Sequence, residues 1–276
     1  MEMEIYKNAD DFLEKNRYVM EQYSVEANLI WANAMSHKTA EDGFRGISIT
    51  QGSSIYLAIQ TISHPMVHFS TGNNIKEMAK LLVKYLSGIN AMPQKISGIR
   101  ETIDLFKDAA HELNSKYKES QHLNLMICEK VNDIHIIEGK YQSPITADFD
   151  FSDWFIGFWH DCEIENSGKE AARDAAKQMI KNGKLVCFSV DGQPVTMAAK
   201  KRKLIGGRCV GEVYTPEKFR SKGYSTACLK HLTQEILSEG NDCAFLFANK
   251  YNPASNRVYE KVGYKKIADF MEYTKK

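Results

Sequence analysis

No stretch of eighteen consecutive apolar residues occurs in this 276-residue chain, so the sequence offers no helix able to cross a bilayer. The opening residues, Met1-Glu2-Met3-Glu4-Ile5-Tyr6-Lys7, lack the apolar centre of a secretory leader, and the expected location is the cytoplasm. Cysteine is sparse and scattered, at 128, 162, 187, 209, 228 and 243, with no C-x-x-C pair. In apolar surroundings these read as reduced core thiols rather than disulfides or zinc ligands. His64 and His68 are four apart, but Pro65 and β-prone neighbours keep them off a shared helical face; no metal is expected. Walker A and G-x-G-x-x-G motifs are missing, which disfavours nucleoside triphosphates and dinucleotides. An excess of one charge is missing too: 36 Lys and Arg face 35 Asp and Glu, so nucleic acid is not an expected partner.

What is present is ordinary globular material, 43% hydrophobic and 26% charged, in a chain long enough for one large or two modest domains. The polar break Glu138-Gly-Lys-Tyr-Gln-Ser-Pro144 suggests a boundary, giving units of 1–140 and 141–276. The first holds 15 Lys and Arg against 18 Asp and Glu, the second 21 against 17.

The most informative stretch is Val213 to Ser225, V-Y-T-P-E-K-F-R-S-K-G-Y-S. An apolar, β-prone run enters it and Pro216 ends the strand. The loop Arg220-Ser221-Lys222-Gly223 leads into a helix with Cys228, Leu229, Leu232 and Ile236 on one face, stopped by Gly240. The first N–H groups of a helix have no internal partner, and the helix dipole adds positive potential there. Small residues at 223 and 225, with Arg220 and Lys222, suit this turn to a phosphate or pyrophosphate.

A second segment follows a buried strand over 244–248: Asn252-Pro-Ala-Ser-Asn-Arg-Val-Tyr-Glu-Lys-Val-Gly-Tyr264. Asn252 suits an N-cap with Pro253 at the first helical position. Ser255 and Tyr259 share a face with Asn252, while Ala254, Val258 and Val262 form a neighbouring apolar stripe expected against the sheet. Together, R-x-x-G-x-S and N-P-x-S-x-x-x-Y-x-K-x-G-Y about 30 residues later resemble the GNAT superfamily of acyl-CoA-dependent N-acetyltransferases. Ser225 stands where that loop motif usually has Gly or Ala.

The resemblance covers roughly 141–276 in element order. In that half, 145–147 reads as a short strand, 150–162 as an aromatic-rich helix (Phe151, Trp154, Phe155, Phe158, Trp159) and 168–180 as another helix. A hairpin turns at Asp191-Gly192, and Lys200-Lys-Arg-Lys203 reads as its solvated tip. The aromatic stripe reads as core. The first half repeats the order: helices over 8–37, strands over 44–49, 55–62 and 66–69, helices over 74–86 (stopped by Gly88) and 101–117, and a strand over 123–127. It carries no phosphate-loop motif. The resemblance therefore implies an α/β (α+β) fold of two tandem GNAT-like lobes, the first degenerate and covering the second. Each has a mixed, splayed, mostly antiparallel sheet flanked by helices.

For the site, the resemblance implies that backbone groups of Val213, Tyr214 and Thr215 meet the pantetheine amides of acetyl-CoA. Arg220, Ser221, Lys222, Gly223, Tyr224, Ser225 and Thr226 hold the pyrophosphate, and Asn252 and Ser255 add cofactor contacts. Tyr259 is the implied acid for the departing thiolate. Glu212 is one candidate base; Glu217, His160 and a water chain are others. The implied activity is acetyl transfer to a primary amine of a small molecule or amino acid, with no membrane partner and a homodimer allowed. A CoA- or acyl-CoA-binding or sensing protein without turnover, or a different phosphate-ligand binder, fits the loop as well.

Overall fold

A computed structural model describes residues 1–36, 43–62, 64–144, 149–164 and 168–276. Its contacts divide the chain into two compact units, Met1–Leu125 with Ala268–Lys276, and Met126–Ile267. The sequence reading has a single break at 140/141; the chain instead divides at 125/126 and again at 267/268.

The first unit begins with β1 (Glu2–Tyr6), α1 (Ala9–Lys15), α2 (Arg17–Gln22) and α3 (Asn28–Ser36). Then come β2 (Arg45–Gln51), β3 (Ser54–Gln60), β4 (Met66–Thr71), α4 (Ile75–Gly88), β5 (Lys95–Ile99), α5 (Arg100–Glu112) and β6 (Tyr117–Cys128). Strands β1 to β4 pair antiparallel in sequence, and β4 meets β5 in parallel over Met66–His68 and Ile96–Gly98. The last strand of the chain, β12 (Lys265–Lys275), pairs antiparallel with β5 from Phe270 to Thr274. Helix α4 buries Ile75, Met78, Ala79, Leu82, Val83 and Leu86, an i, i+3, i+4, i+7 stripe that faces the sheet.

Two helix ends differ from the sequence reading, for one reason. Gly88 stays helical and Asn90 takes the left-handed conformation (φ 53°), letting the Ala91 amide reach back to the Leu86 carbonyl at 2.8 Å. Likewise α5 stops at Glu112, because Asn114 (φ 61°) reverses the chain and the Ser115 amide bonds Ala110. Tyr117 therefore opens β6.

The second unit contains β7 (Lys140–Gln142), α6 (Ser152–Asp161), α7 (Gly168–Lys181), β8 (Leu185–Val190), β9 (Gln193–Leu204) and β10 (Gly207–Tyr214). A 3₁₀ turn at Glu217–Phe219 leads to α8 (Tyr224–Ser238), β11 (Cys243–Asn249) and α9 (Pro253–Val262). The strand expected at 145–147 lies outside the described residues. Strands β7 to β10 pair antiparallel in succession, and β10 meets β11 in parallel. On one face of the sheet, α8 and α9 bury Leu229, Leu232, Ile236 and Val262 with Val210, Ala244 and Leu246. On the other, Phe151, Trp154 and Phe155 pack with Ala172 and Ala176 of α7 against Leu185, Met197 and Ala199. The aromatic stripe is core, as its spacing suggests.

The run Lys200–Lys203 is not a solvated hairpin tip. Strand β9 continues through it to Leu204, and Lys200 is only 6% exposed. Its ammonium donates to Glu235 at 2.6 Å and Glu239 at 2.5 Å, both at the end of α8. A buried ammonium is tolerable because two carboxylates neutralise it.

Candidate functional site

The site in the second unit starts where β10 leaves its neighbours. The parallel pairing with β11 covers only Gly207–Cys209 against Cys243–Phe245, while β10 runs on to Tyr214 and β11 to Asn249. On the β9 side the ladder steps from Gly211–Ala199 to Tyr214–Met197, so Glu212 and Val213 face a single residue. This bulge puts Glu212 at φ 46°, rare for a side chain other than glycine. The end of β10 thus stands apart from β11, with backbone groups available to a ligand.

The turn after β10 is tied down by polar contacts. The Thr196 hydroxyl donates to the Tyr214 carbonyl at 2.9 Å and shares a 2.7 Å hydrogen bond with the Thr215 hydroxyl. Arg220 Nε donates to the Thr215 carbonyl at 2.9 Å. The carbonyls of Tyr214 and Thr215, two of the residues expected to meet a pantetheine arm, therefore already have partners.

Gly223 caps α8 in the left-handed conformation (φ 84°, ψ 0°), a backbone that glycine adopts without strain. A Cβ placed there would meet nothing within 4 Å. The first internal bond of α8 is made by Ala227, to the Gly223 carbonyl. The amides of Tyr224, Ser225 and Thr226 thus lack helical acceptors, and no side chain caps them. This is an open anion cradle at the start of a four-turn helix.

Helix α9 forms the facing wall. Asn252 caps it, its side-chain oxygen accepting from the Ser255 amide at 3.1 Å, with Pro253 at the first position. The orientation of α9 differs from the expected one. Only Tyr259 and Val262 are buried in it, while Ala254 and Val258 line the open space beside it. Tyr259 does both: it is 8% exposed, packs edge-on against Tyr264, and still reaches the cavity.

These elements enclose a cavity of about 480 Å³. Of the expected residues, Val213, Tyr214, Thr215, Arg220, Ser221, Gly223, Tyr224, Ser225, Thr226, Asn252, Ser255 and Tyr259 all line it. Lys222 does not, and its side chain is exposed. Glu212 is not in the wall either: it is 7% exposed, with one carboxylate oxygen 2.5 Å from the Lys201 ammonium. Its other oxygen is buried with no hydrogen-bond partner.

Burial raises the Tyr259 phenol well above its ordinary range, and nearby Cys162 adds to the effect. Cys162 is itself pushed up to about 11, chiefly by burial, with the carboxylates of Asp161 and Glu212 contributing. Its thiol is protonated at neutral pH and is a poor nucleophile.

Comparison with known proteins bears on this geometry. Residues 190–273 match the FR47-like protein family, a span that contains every lining residue but one. A GCN5-related N-acetyltransferase from Sphaerobacter thermophilus superposes with a TM-score of 0.66 at 11% identity, over 99% of this chain and 95% of that one. A GNAT-family acetyltransferase from Colwellia psychrerythraea gives 0.62 at 9% identity, with both chains fully covered. A tandem GNAT protein from the clavulanic acid biosynthesis pathway gives 0.53 at 10%, over 99% and 98%. No curated protein matches by sequence.

The fold is that of the GNAT acetyltransferases. Its two-lobed form explains why the element order of the first unit, three antiparallel strands, helix, parallel strand, helix, recurs in the second.

Within this GNAT fold, three charged lining residues were given no site role by the sequence, although Lys261 stands at the K of the second motif. Asp161, the last residue of α6, accepts a hydrogen bond from Arg220 Nη2 at 2.6 Å. Arg257 and Lys261 lie on the exposed side of α9. Both sit inside the Asn252–Tyr264 segment, and the signal was available: they fall four apart, one turn along a helix. Asp161 is more than 50 residues from the loop it contacts, and no local pattern points to it.

Proposed function

We propose that the second unit is an acyl-CoA-dependent N-acetyltransferase that moves an acetyl group from acetyl-CoA to a primary amine of a small molecule or amino acid. The observation that carries this reading is the pairing, in one cavity, of the uncapped α8 N-terminus at Gly223 with the buried phenol of Tyr259. The first suits a pyrophosphate. The second is a protonated acid beside it.

The cradle fits the coenzyme on its own terms: open space above Gly223, three uncapped amides, and a small residue at Ser225. When bound, acetyl-CoA supplies an activated thioester. Backbone amides at the splayed end of β10 then polarise the carbonyl oxygen as negative charge develops on it. The Tyr259 hydroxyl holds the proton needed by the departing sulfur, and burial keeps that proton in place across the physiological range. Glu212 stands outside the cavity wall with one oxygen paired to Lys201 and the other buried, so the amine's proton leaves to water in the cavity. The amine nitrogen gains the acetyl carbon, the carbon–sulfur bond breaks, and one proton passes to each side.

Thermal shift with acetyl-CoA, CoA and ATP on wild type and Gly223→Glu tests the coenzyme assignment. Ligand at about 100 times its dissociation constant stabilises by about 2.7 kcal/mol, a rise of several degrees for a domain of this size. A rise with acetyl-CoA and CoA but not ATP, abolished in Gly223→Glu, supports the assignment. No rise at saturating acetyl-CoA removes it. Turnover on a panel of amines then separates the enzyme from a CoA-binding or sensing protein that transfers nothing.

A further inference from the structure

The cavity carries more positive charge than its phosphate loop requires. Four lining side chains are charged: Asp161, Arg220, Arg257 and Lys261. Asp161 and Arg220 neutralise one another. Arg257 and Lys261 are both exposed, and neither side chain has a hydrogen bond or ion pair among the described residues. The wall is therefore net +2 in a chain whose total is +1.

The two cations are four residues apart on α9, so they emerge from one helical face about 6 Å apart along its axis. Like charges at that spacing disfavour the helix, and the conflict is relieved when an anion lies between them. They stand on the α9 wall, whereas the uncapped amides stand on α8. One cavity thus offers two separate anion-binding positions, a cradle of backbone amides and a pair of side-chain cations. A ligand matching both carries a pyrophosphate and a second phosphate on a different arm.

We propose that Arg257 and Lys261 form the specificity subsite for the 3′-phosphate of the coenzyme, so that the chain distinguishes CoA from 3′-dephospho-CoA. This rests on the coenzyme reading given above. The two ligands share the pantetheine arm, the pyrophosphate and the adenine, and differ only in the phosphomonoester. Two cations meeting a dianion give a contact that added salt weakens, because both side chains are exposed.

Titration calorimetry with CoA and 3′-dephospho-CoA, on the full chain and on Arg257→Gln/Lys261→Gln, provides the test. Wild type is expected to bind CoA at least about tenfold more tightly, with the gap narrowing between low and high salt. The double variant is expected to lose affinity for CoA alone, bringing the two ligands to within about twofold. Equal binding of both ligands by wild type overturns the subsite while leaving the coenzyme reading intact. So does a variant that weakens both ligands alike. Binding of neither ligand by wild type removes the coenzyme reading and the subsite together. The wild-type comparison needs no substitution, and the single variants Arg257→Gln and Lys261→Gln stand in if the double variant does not fold.

Discussion

The guanidinium of Arg220 is held by the carboxylate of Asp161 at 2.6 Å, inside the cavity whose proposed phosphate loop includes Arg220. An anionic ligand must compete with that carboxylate for the arginine. Both side chains are 40% or more exposed, so the pair is worth at most about 1 kcal/mol. Asp161→Asn is expected to tighten CoA binding about two- to fivefold by releasing Arg220. Calorimetry at low salt reads this directly; weaker binding in the variant would mean that Asp161 positions Arg220 for the ligand.

Tyr259→Phe removes one hydroxyl from a side chain that is otherwise packed in the core. We expect kcat to fall about 100-fold, the lower range for loss of a positioned acid. Affinity for acetyl-CoA should stay within about twofold, because the ring remains. Burial raises the phenol's pKa, and Cys162 raises it further, so Tyr259 keeps its proton beyond its ordinary value near 10. The wild-type rate should therefore show no alkaline decline from this residue below about pH 10. A decline centred near pH 8 that disappears in Tyr259→Phe would contradict the assignment.

Glu212 and Lys201 form a pair in which the carboxylate is the more buried partner. Lys201→Met leaves that carboxylate uncompensated and is expected to destabilise by about 2 kcal/mol, below the range for a fully buried pair because Lys201 is itself one-third exposed. Adding Glu212→Gln should restore more than half of the loss. Urea denaturation of the two single variants and the double variant gives the coupling; additive effects would show that the pair contributes nothing.

His68 is buried beside Phe106, with its Nδ1 3.0 Å from the Tyr56 hydroxyl and its Nε2 without a partner. Burial lowers its pKa to about 3. In the unfolded chain it takes up a proton near 6.5, so between those values the unfolded state binds more protons. Stability from this residue is complete above about pH 6.5 and declines as the pH falls toward 3. The loss is about 2 kcal/mol at pH 5. Melting of wild type against His68→Gln from pH 7.5 to 4.5 checks it, since the variant should lack this share of the acid slope.

The α9 motif was legible because its information is local: Asn252 and Pro253 specify a helix start, and spacing alone sets Tyr259 one face away. The loop at Gly223 was legible for the same reason. Which side of α9 meets the sheet was not, since Ala254 and Val258 are as apolar as Val262 and only tertiary packing decides among them. Lys200 was misread because its partners, Glu235 and Glu239, lie 35 and 39 residues away. The same distance problem hid Asp161. The helix ends at Asn90 and Asn114 turn on a left-handed asparagine; the first was expected at Gly88, and the second had no expected stop signal.

The return of β12 to the first unit has a consequence for synthesis. Met271 and Tyr273 sit in the core of that unit with Ile96, Ile103 and Phe106, although the whole of the second unit is synthesised between them and Leu125. A nascent chain stopped at Leu125 has made every described helix of the first unit and still lacks part of its interior. That unit waits, with the strand-pairing groups of β5 exposed, until the second has been fully translated. Folding of the first unit is thus completed by a strand made only after the second unit.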